Sequence, residues 1–460
     1  MAVDHDERSI RARLSTFDTA MVVFSLVVGI GIFRAPAIVA GAAGSTSLFF
    51  TAWVAGGVIS LVGALTFAEI GSRYPRAGGY YRVVADCYHP TLAFSLNWSQ
   101  TLMQGAGAAG VAFIGADYLM PVLLPPQWRT PQASIVLACA TMLILLILNY
   151  RGIKPGAHVQ NFLSVLKIAM IVGLAALSLM IAPRAHVVEP VSAAPQGLRL
   201  ASALIPCFYA YGGYQLTMNL GADLKDAGRR FPLAITAGMF TVISLYLLLN
   251  FAYERVLGIG GIADSKLVAA ALSRATFGPS GEMLISIAVF LSAAGFVNAT
   301  IIQMPRSFYA MAQDGVLPRA FLRVNPDTQV QEVGLLFFGA TMLLPAFMLG
   351  SFEKLLNYVI FTDMLTIAVV ASTLFVLRHR RAGEGGFKML GYPVLPAFYM
   401  ACLLGVAARV FSTEPRLAIA GIAILFTGWP LFSLGHRMFG GPRAPGAGAS
   451  GAGASGAGNE

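Results

Sequence analysis

The feature that most constrains this chain is a succession of apolar runs, each about twenty residues long, joined by short polar connections. They fall at 17–40, 46–70, 90–119, 132–149, 156–182, 198–220, 233–257, 281–305, 331–350, 353–377, 392–411 and 414–436. A helix needs about 20 apolar residues to cross the hydrocarbon core of a bilayer. The runs do not alternate polar and apolar residues, as the strands of a membrane barrel would. The pattern therefore predicts an all-α polytopic membrane protein with twelve transmembrane helices. Charge agrees: 11% of residues are charged and 57% hydrophobic, with a mean hydropathy of +0.72. Soluble domains carry roughly 25% charged residues. Too few charges exist to cover a water-facing surface, which excludes a soluble enzyme and a nucleic-acid binder despite the net charge of +10. Four cysteines are too few for a disulfide scaffold. The first run is too long for a cleavable signal peptide and lacks its small-residue cleavage site.

Lys and Arg in the connections set the orientation. With the N-terminal segment 1–16 inside, twenty of them fall on the inner side, eight on the outer side and three within spans, namely Arg34, Lys167 and Arg409. Both termini are expected in the cytoplasm, and the basic balance serves contact with the inner leaflet of the lipid bilayer. The Gly/Ala/Ser-rich stretch 440–460 has no apolar face and is expected to be disordered. Residues 258–278 are too polar to span and are expected to form a helix over the outer face.

Two runs carry paired glycines near their middle: Val28-Gly29-Ile30-Gly31-Ile32-Phe33 in the first and Tyr209-Ala210-Tyr211-Gly212-Gly213-Tyr214 in the sixth. Such glycines also suit close helix packing. Here they stand five helices apart, so a second five-helix unit enters the membrane from the opposite side. Matched breaks in inverted halves point to the central site of a transporter.

Around these breaks the chain resembles amino acid permeases of the amino acid–polyamine–organocation superfamily, nearest the L-type amino acid transporter branch, over roughly residues 15–435. The resemblance rests on Gly29 to Phe33, on Ala68-Glu69-Ile70 followed by Pro75 to Tyr81, and on Phe208 to Gly213. It rests also on Asp223, Arg230 and Pro232, and on Arg306, Tyr309 to Gly315 and Leu317-Pro318. It implies a LeuT-type fold: a first five-helix repeat at 17–182, an inverted second repeat at 198–377, broken helices 1 and 6, and helices 11 and 12 at 392–436. It implies secondary active amino acid transport by alternating access. Half-helix amides suit a carboxylate and half-helix carbonyls an ammonium. The amides of Ile30, Gly31 and Ile32 are thus expected to hold the substrate carboxylate, and carbonyls near Val28 or Gly29, and Tyr209 or Ala210, its amine. Tyr211, Gly212 and Gly213 complete the second break. Tyr209 stands where the family carries a Phe that closes over the substrate. Ile30 replaces the usual small polar residue, so recognition there falls to the backbone.

Lys167 lies about eleven residues into its span, near the midplane, where a charge is costly and usually functional. The resemblance places a lysine there in the position of a second sodium, bridging the first break to span eight, with Ser292 as its candidate contact. That disfavours sodium coupling and leaves proton symport or exchange. Arg34 and Asp363 resemble a gate pair of the sodium-coupled neurotransmitter transporters, and an outer gate with Tyr209 is expected. Asp18 and Glu69, near inner ends, suit solvated or capping roles. The six histidines show no metal-ligand spacing, and neither a metal site nor a cofactor is expected. Eukaryotic relatives bind a heavy chain through a Cys between spans three and four; Met120 to Gln132 has none, so no disulfide-linked heavy chain is expected. The expected setting is a bacterial inner membrane. A non-transporting amino acid sensor and a polyamine or amine permease are the alternatives. A membrane enzyme lacks a clustered nucleophile and base, and a channel lacks a selectivity sequence.

Overall fold

The computed structural model describes residues 10, 12–181, 195–265, 267–348, 352–383, 386–413 and 415–439. Every named element is helical. In chain order they are α1 (Thr16–Val27), α2 (Gly31–Ala43), α3 (Thr46–Arg73), α4 (Gly79–Cys87), α5 (Pro90–Leu123), α6 (Pro131–Tyr150), α7 (Ile153–Ile181) and α8 (Gln196–Ala210). There follow α9 (Ala227–Ala263), α10 (Val268–Phe277), α11 (Gly281–Gln313), α12 (Glu332–Met348), α13 (Phe352–His379), α14 (Val394–Thr413) and α15 (Pro415–Phe439). Among the described residues nine helices are long and apolar enough to cross a membrane, and the bent pair α1–α2 makes a tenth. Phe162, Val136 and Phe240 stand exposed on helix flanks. Such apolar surface is unfavourable in water and favourable against lipid.

One expected run differs from a uniform span. Run 198–220 is α8 followed by a 3₁₀ helix, Tyr214–Asn219. The helix cannot continue through Gly213, whose φ is +112°, a region that suits only glycine. Run 331–350 holds α12, and residues 349 and 350 lie outside those described. Segment 258–278 is divided: Gly258 at φ +68° kinks the end of α9, and α10 follows as a separate helix. The tail 440–460, the N-terminal residues 1–9 and the connection 182–194 lie outside the described residues.

The first helix begins with a capping box, Ser15 accepting from the Asp18 amide while the Asp18 carboxylate accepts from the Ser15 amide at 2.8 Å. Glu69 is neither solvated nor a cap. It is fully buried and accepts from Arg73 (2.8 Å), from both Nε and a terminal nitrogen of Arg378 (2.8 and 2.6 Å) and from the Met389 amide (2.9 Å). One carboxylate thus joins the end of α3 to α13 and to the connection leading into α14.

Candidate functional site

The break in the first pair spans Val28 to Ile30. Val28 leaves helical geometry at ψ 78°, and Ile30 opens α2 without a side-chain cap. The first amides of any helix lack intrahelical acceptors. Among the described residues the amides of Ile30, Gly31 and Ile32 have no hydrogen-bond acceptor, so three consecutive N–H groups stand free at the positive end of α2. The second break lies against them. A Cβ on Gly31 would stand 3.7 Å from the Ala210 backbone, and one on Gly213 would run into the Leu26 carbonyl. Ile30, Gly31, Gly212 and Gly213 are partly exposed, while Val28, Ile32, Ala210 and Tyr211 are buried. Tyr209 is 41% exposed and lies within electrostatic reach of Asp363.

The carbonyls differ from the sequence expectation. Val28 O accepts from Lys167 Nζ at 2.6 Å, and Gly29 O accepts from Ser292 Oγ at 2.7 Å. Ala210 O lies 3.0 Å from the Tyr246 hydroxyl, which also stands 3.3 Å from Val27 O. Tyr209 O accepts from the Gly212 amide. The carbonyls expected to receive an amine are therefore all engaged within the protein. Those of Phe208, Tyr211 and Gly212 have no donor among the described residues. The Tyr211 ring is buried against Trp53 and Tyr246, so at this site Tyr211 presents backbone and not side chain.

Lys167 and Ser292 meet at the first break, on α7 and α11 respectively. Gly295 leaves room for the lysine head: a Cβ there would lie 3.2 Å from Nζ and 3.3 Å from Ser25 Oγ. From Ser25 a chain of buried polar side chains runs through Ser164 (2.8 Å), Gln160 (3.0 Å), Asn298 (2.9 Å) and Asn149 (2.6 Å). Its amides hold α6, α7 and α11 in one register around the lysine.

Arg34 and Asp363 are not brought together. Asp363 accepts from Gln100 Nε2 at 2.7 Å, whereas Arg34 lies within electrostatic reach of Tyr118. Both Gln100 and Tyr118 belong to α5, eighteen residues apart, which is roughly 27 Å along a helix. The expected gate pair is therefore not formed in this structure.

On the face that holds Leu14 the site is sealed. Asp223 O accepts from the Arg13 and Leu14 amides, and its carboxylate accepts from Arg306 Nε and a terminal nitrogen, both at 3.1 Å. Asn219 donates to Gln303 at 2.6 Å and Tyr81 to Asp314 at 2.9 Å. Gly78, at φ +63°, sits where a Cβ would stand 2.5 Å from Arg306 O. The three motifs around residues 75–81, 208–223 and 306–315 thus converge on one plug. Sequence reasoning missed the Asp223–Arg306 pair, Gln100 and Tyr246. Gln100 alone carried a signal, an amide inside an apolar run. Among the described residues no group of three metal-ligating side chains occurs.

These features define a multi-pass integral membrane protein with two broken helices meeting around free backbone groups and a sealed face beneath them. The chain belongs to the amino acid permease family, whose model matches residues 14–429. It is similar to the serine/threonine exchanger SteT of Bacillus subtilis, 25% identical over 93% of this chain and 97% of that protein. It is similar to the human cystine/glutamate transporter, 28% identical over 90% of this chain and 83% of the relative. It is also similar to the large neutral amino acids transporter small subunit 2 of rat, 28% identical over 90% and 79%. The family and these relatives are transporters and not enzymes, and their substrates are amino acids.

Proposed function

We propose that this protein is a secondary active amino acid permease working by alternating access, built from twelve spans as two inverted five-helix repeats plus two helices. The observation that carries the reading is the row of three free amides at Ile30, Gly31 and Ile32, with the second break packed against Gly31 and carrying carbonyls without donors. A zwitterionic amino acid supplies the matching pair, a carboxylate for the amides and an ammonium for the carbonyls of Phe208, Tyr211 or Gly212. Tyr209 is the aromatic cover.

Lys167 on the Val28 carbonyl supports sodium-independent transport, because a fixed ammonium occupies the place where a second cation would bind those oxygens. Coupling then falls to proton symport or exchange. Basic side chains crowd the connections on the Leu14 side, which makes that face cytoplasmic, with both termini inside and an inner membrane as the setting. In this arrangement the cytoplasmic side is plugged and the substrate site faces outward. The cysteine-free connection between α5 and α6 supports function without a linked heavy chain.

The test is uptake of labelled amino acids into proteoliposomes holding the purified chain alone. Uptake is expected without sodium, and either a pH gradient or internal amino acid should accelerate it. Strict sodium dependence would refute the coupling reading. Binding with no uptake under any gradient would make the protein a sensor.

A further inference from the structure

Asp363, on α13, is linked by a single hydrogen bond to Gln100 of α5 and lies within electrostatic reach of Tyr209 at the second break. One of its oxygens accepts from Gln100 Nε2. Among the described residues it has no basic partner and no second donor, and the side chain is partly exposed. The same Gln100 contributes a buried carbonyl oxygen with no hydrogen bond among the described residues, and the buried Tyr80 hydroxyl lies within reach of Gln100 and Asp363 without a well-formed hydrogen bond to either. The amide orientation follows from chemistry: a carboxylate only accepts, so Gln100 must turn its NH₂ to Asp363 and its oxygen away. Tyr209 edges the same space and Tyr399 lies within electrostatic reach of Asp363, its hydroxyl paired with that of Tyr214 at 2.8 Å. Gly63 makes room for that tyrosine pair.

We infer that Asp363, Gln100 and Tyr80 form a side-chain subsite that takes the cationic end of a basic amino acid, such as the ammonium of lysine or ornithine or the guanidinium of arginine. The inference rests on the permease reading and names its substrate class. A carboxylate inside the membrane without a counter-charge is costly. A proton on Asp363 is the competing state, since the carboxylic acid could then donate to Gln100 after a turn of the amide, and the experiment below separates it from a bound cation. An ammonium or guanidinium carries several donors and no acceptor, which matches the Asp363 carboxylate and the unpartnered Gln100 oxygen, while the Tyr80 hydroxyl can turn its lone pairs to the same cation. Aromatic faces beside the carboxylate add favourable contact for a cation. Under the proposed repeat the site also has a counterpart. Asp363 stands to the second break and α5 as Lys167 stands to the first break and α11, so the fixed cation of one half is matched by an anion in the other.

The experiment is binding by purified protein in lipid nanodiscs, measured by calorimetry. Lysine and arginine are compared with their uncharged counterparts norleucine and citrulline, on wild type, Asp363→Asn and Asp363→Glu. The expected result is at least tenfold tighter binding of the cationic member of each pair to wild type. That ratio should collapse in Asp363→Asn and return in part in Asp363→Glu. Equal affinity for charged and uncharged members in wild type overturns the subsite while the permease reading stands, and it decides the matter even if the variants do not fold. A ratio that Asp363→Asn leaves intact overturns it as well. Neutral amino acids that bind with uptake of one proton, lost in Asp363→Asn, make Asp363 a proton site and also overturn it. No binding of any amino acid to wild type removes the permease reading, and the subsite falls with it.

Discussion

Lys167 Nζ stands 2.6 Å from the carbonyl oxygen of Val28, so the head of a fully buried lysine closes the end of half-helix α1. No carboxylate accompanies it among the described residues; Ser292 serves the next carbonyl, and the Phe24 ring lies 5.6 Å beneath the ammonium. Removing the head leaves Val28 O short of its donor and α1 free to shift against α11. Lys167→Ala is expected to lower initial uptake rates or substrate affinity at least tenfold, about 1.4 kcal/mol. Unchanged kinetics at normal expression would reduce Lys167 to a packing role.

Tyr246 offers one hydroxyl proton to two carbonyls, Ala210 O and Val27 O, one from each break. Its ring is fully buried against Trp53 and Tyr211. Tyr246→Phe preserves the ring and strips the donor, which leaves the Ala210 carbonyl unsatisfied at a cost of about 1–3 kcal/mol, while Val27 O keeps the Gly29 amide. A lower midpoint of thermal unfolding in detergent is expected. An unchanged midpoint would show that water already serves the Ala210 oxygen.

Glu69, itself fully buried, gathers the buried Arg73, the partly exposed Arg378 and a backbone amide. Glu69→Gln strands the buried charge of Arg73 and takes the carboxylate from the partly exposed Arg378, and breaking a buried pair costs about 3–5 kcal/mol. Loss of monodisperse protein on size exclusion is expected. Adding Arg378→Leu should restore part of it, because one stranded charge is then gone. If the double variant is worse than Glu69→Gln alone, the arginine is held by something other than Glu69.

Arg34 and Asp363 engage α5 at levels far apart, so their effects on transport should be independent. In a double-mutant cycle with Arg34→Ala and Asp363→Ala, additivity within about 0.5 kcal/mol is expected. A coupling well above that would mean that the two side chains meet in another state of the cycle.

The comparison of sequence with structure divides along a physical line. Glycine pairs inside apolar runs mark backbone that cannot stay helical, and the chain indeed leaves the helix at Val28–Ile30 and at Tyr211–Gly213. A lysine near the middle of a span has few places to go, and the structure puts it with Ser292 at the first break. Depth along a neighbouring helix is different. It depends on tilt and register, which no local pattern encodes, so the separation of Arg34 and Asp363 along α5 in this arrangement could not be read from their places in spans one and ten. Which carbonyls already hold a donor was not legible, because a hydroxyl or ammonium from a distant helix decides it. Glu69 looked like an end residue by its position in α3; only the return of the chain at Met389 buries it.

The close approach of Gly213 to the Leu26 carbonyl has a consequence for how the protein could be taken apart. The free amides belong to one half of the chain and the open carbonyls to the other, and the two breaks pack backbone against backbone at Gly31 and Ala210 and at Gly213 and Leu26. A gene divided between the two halves would therefore encode two fragments that each insert with an unfinished surface. Neither could serve as a small transporter by itself. Activity would return only on co-expression, in proportion to the assembled heterodimer, and any bulkier residue at position 213 of the second fragment would block that assembly without touching the first.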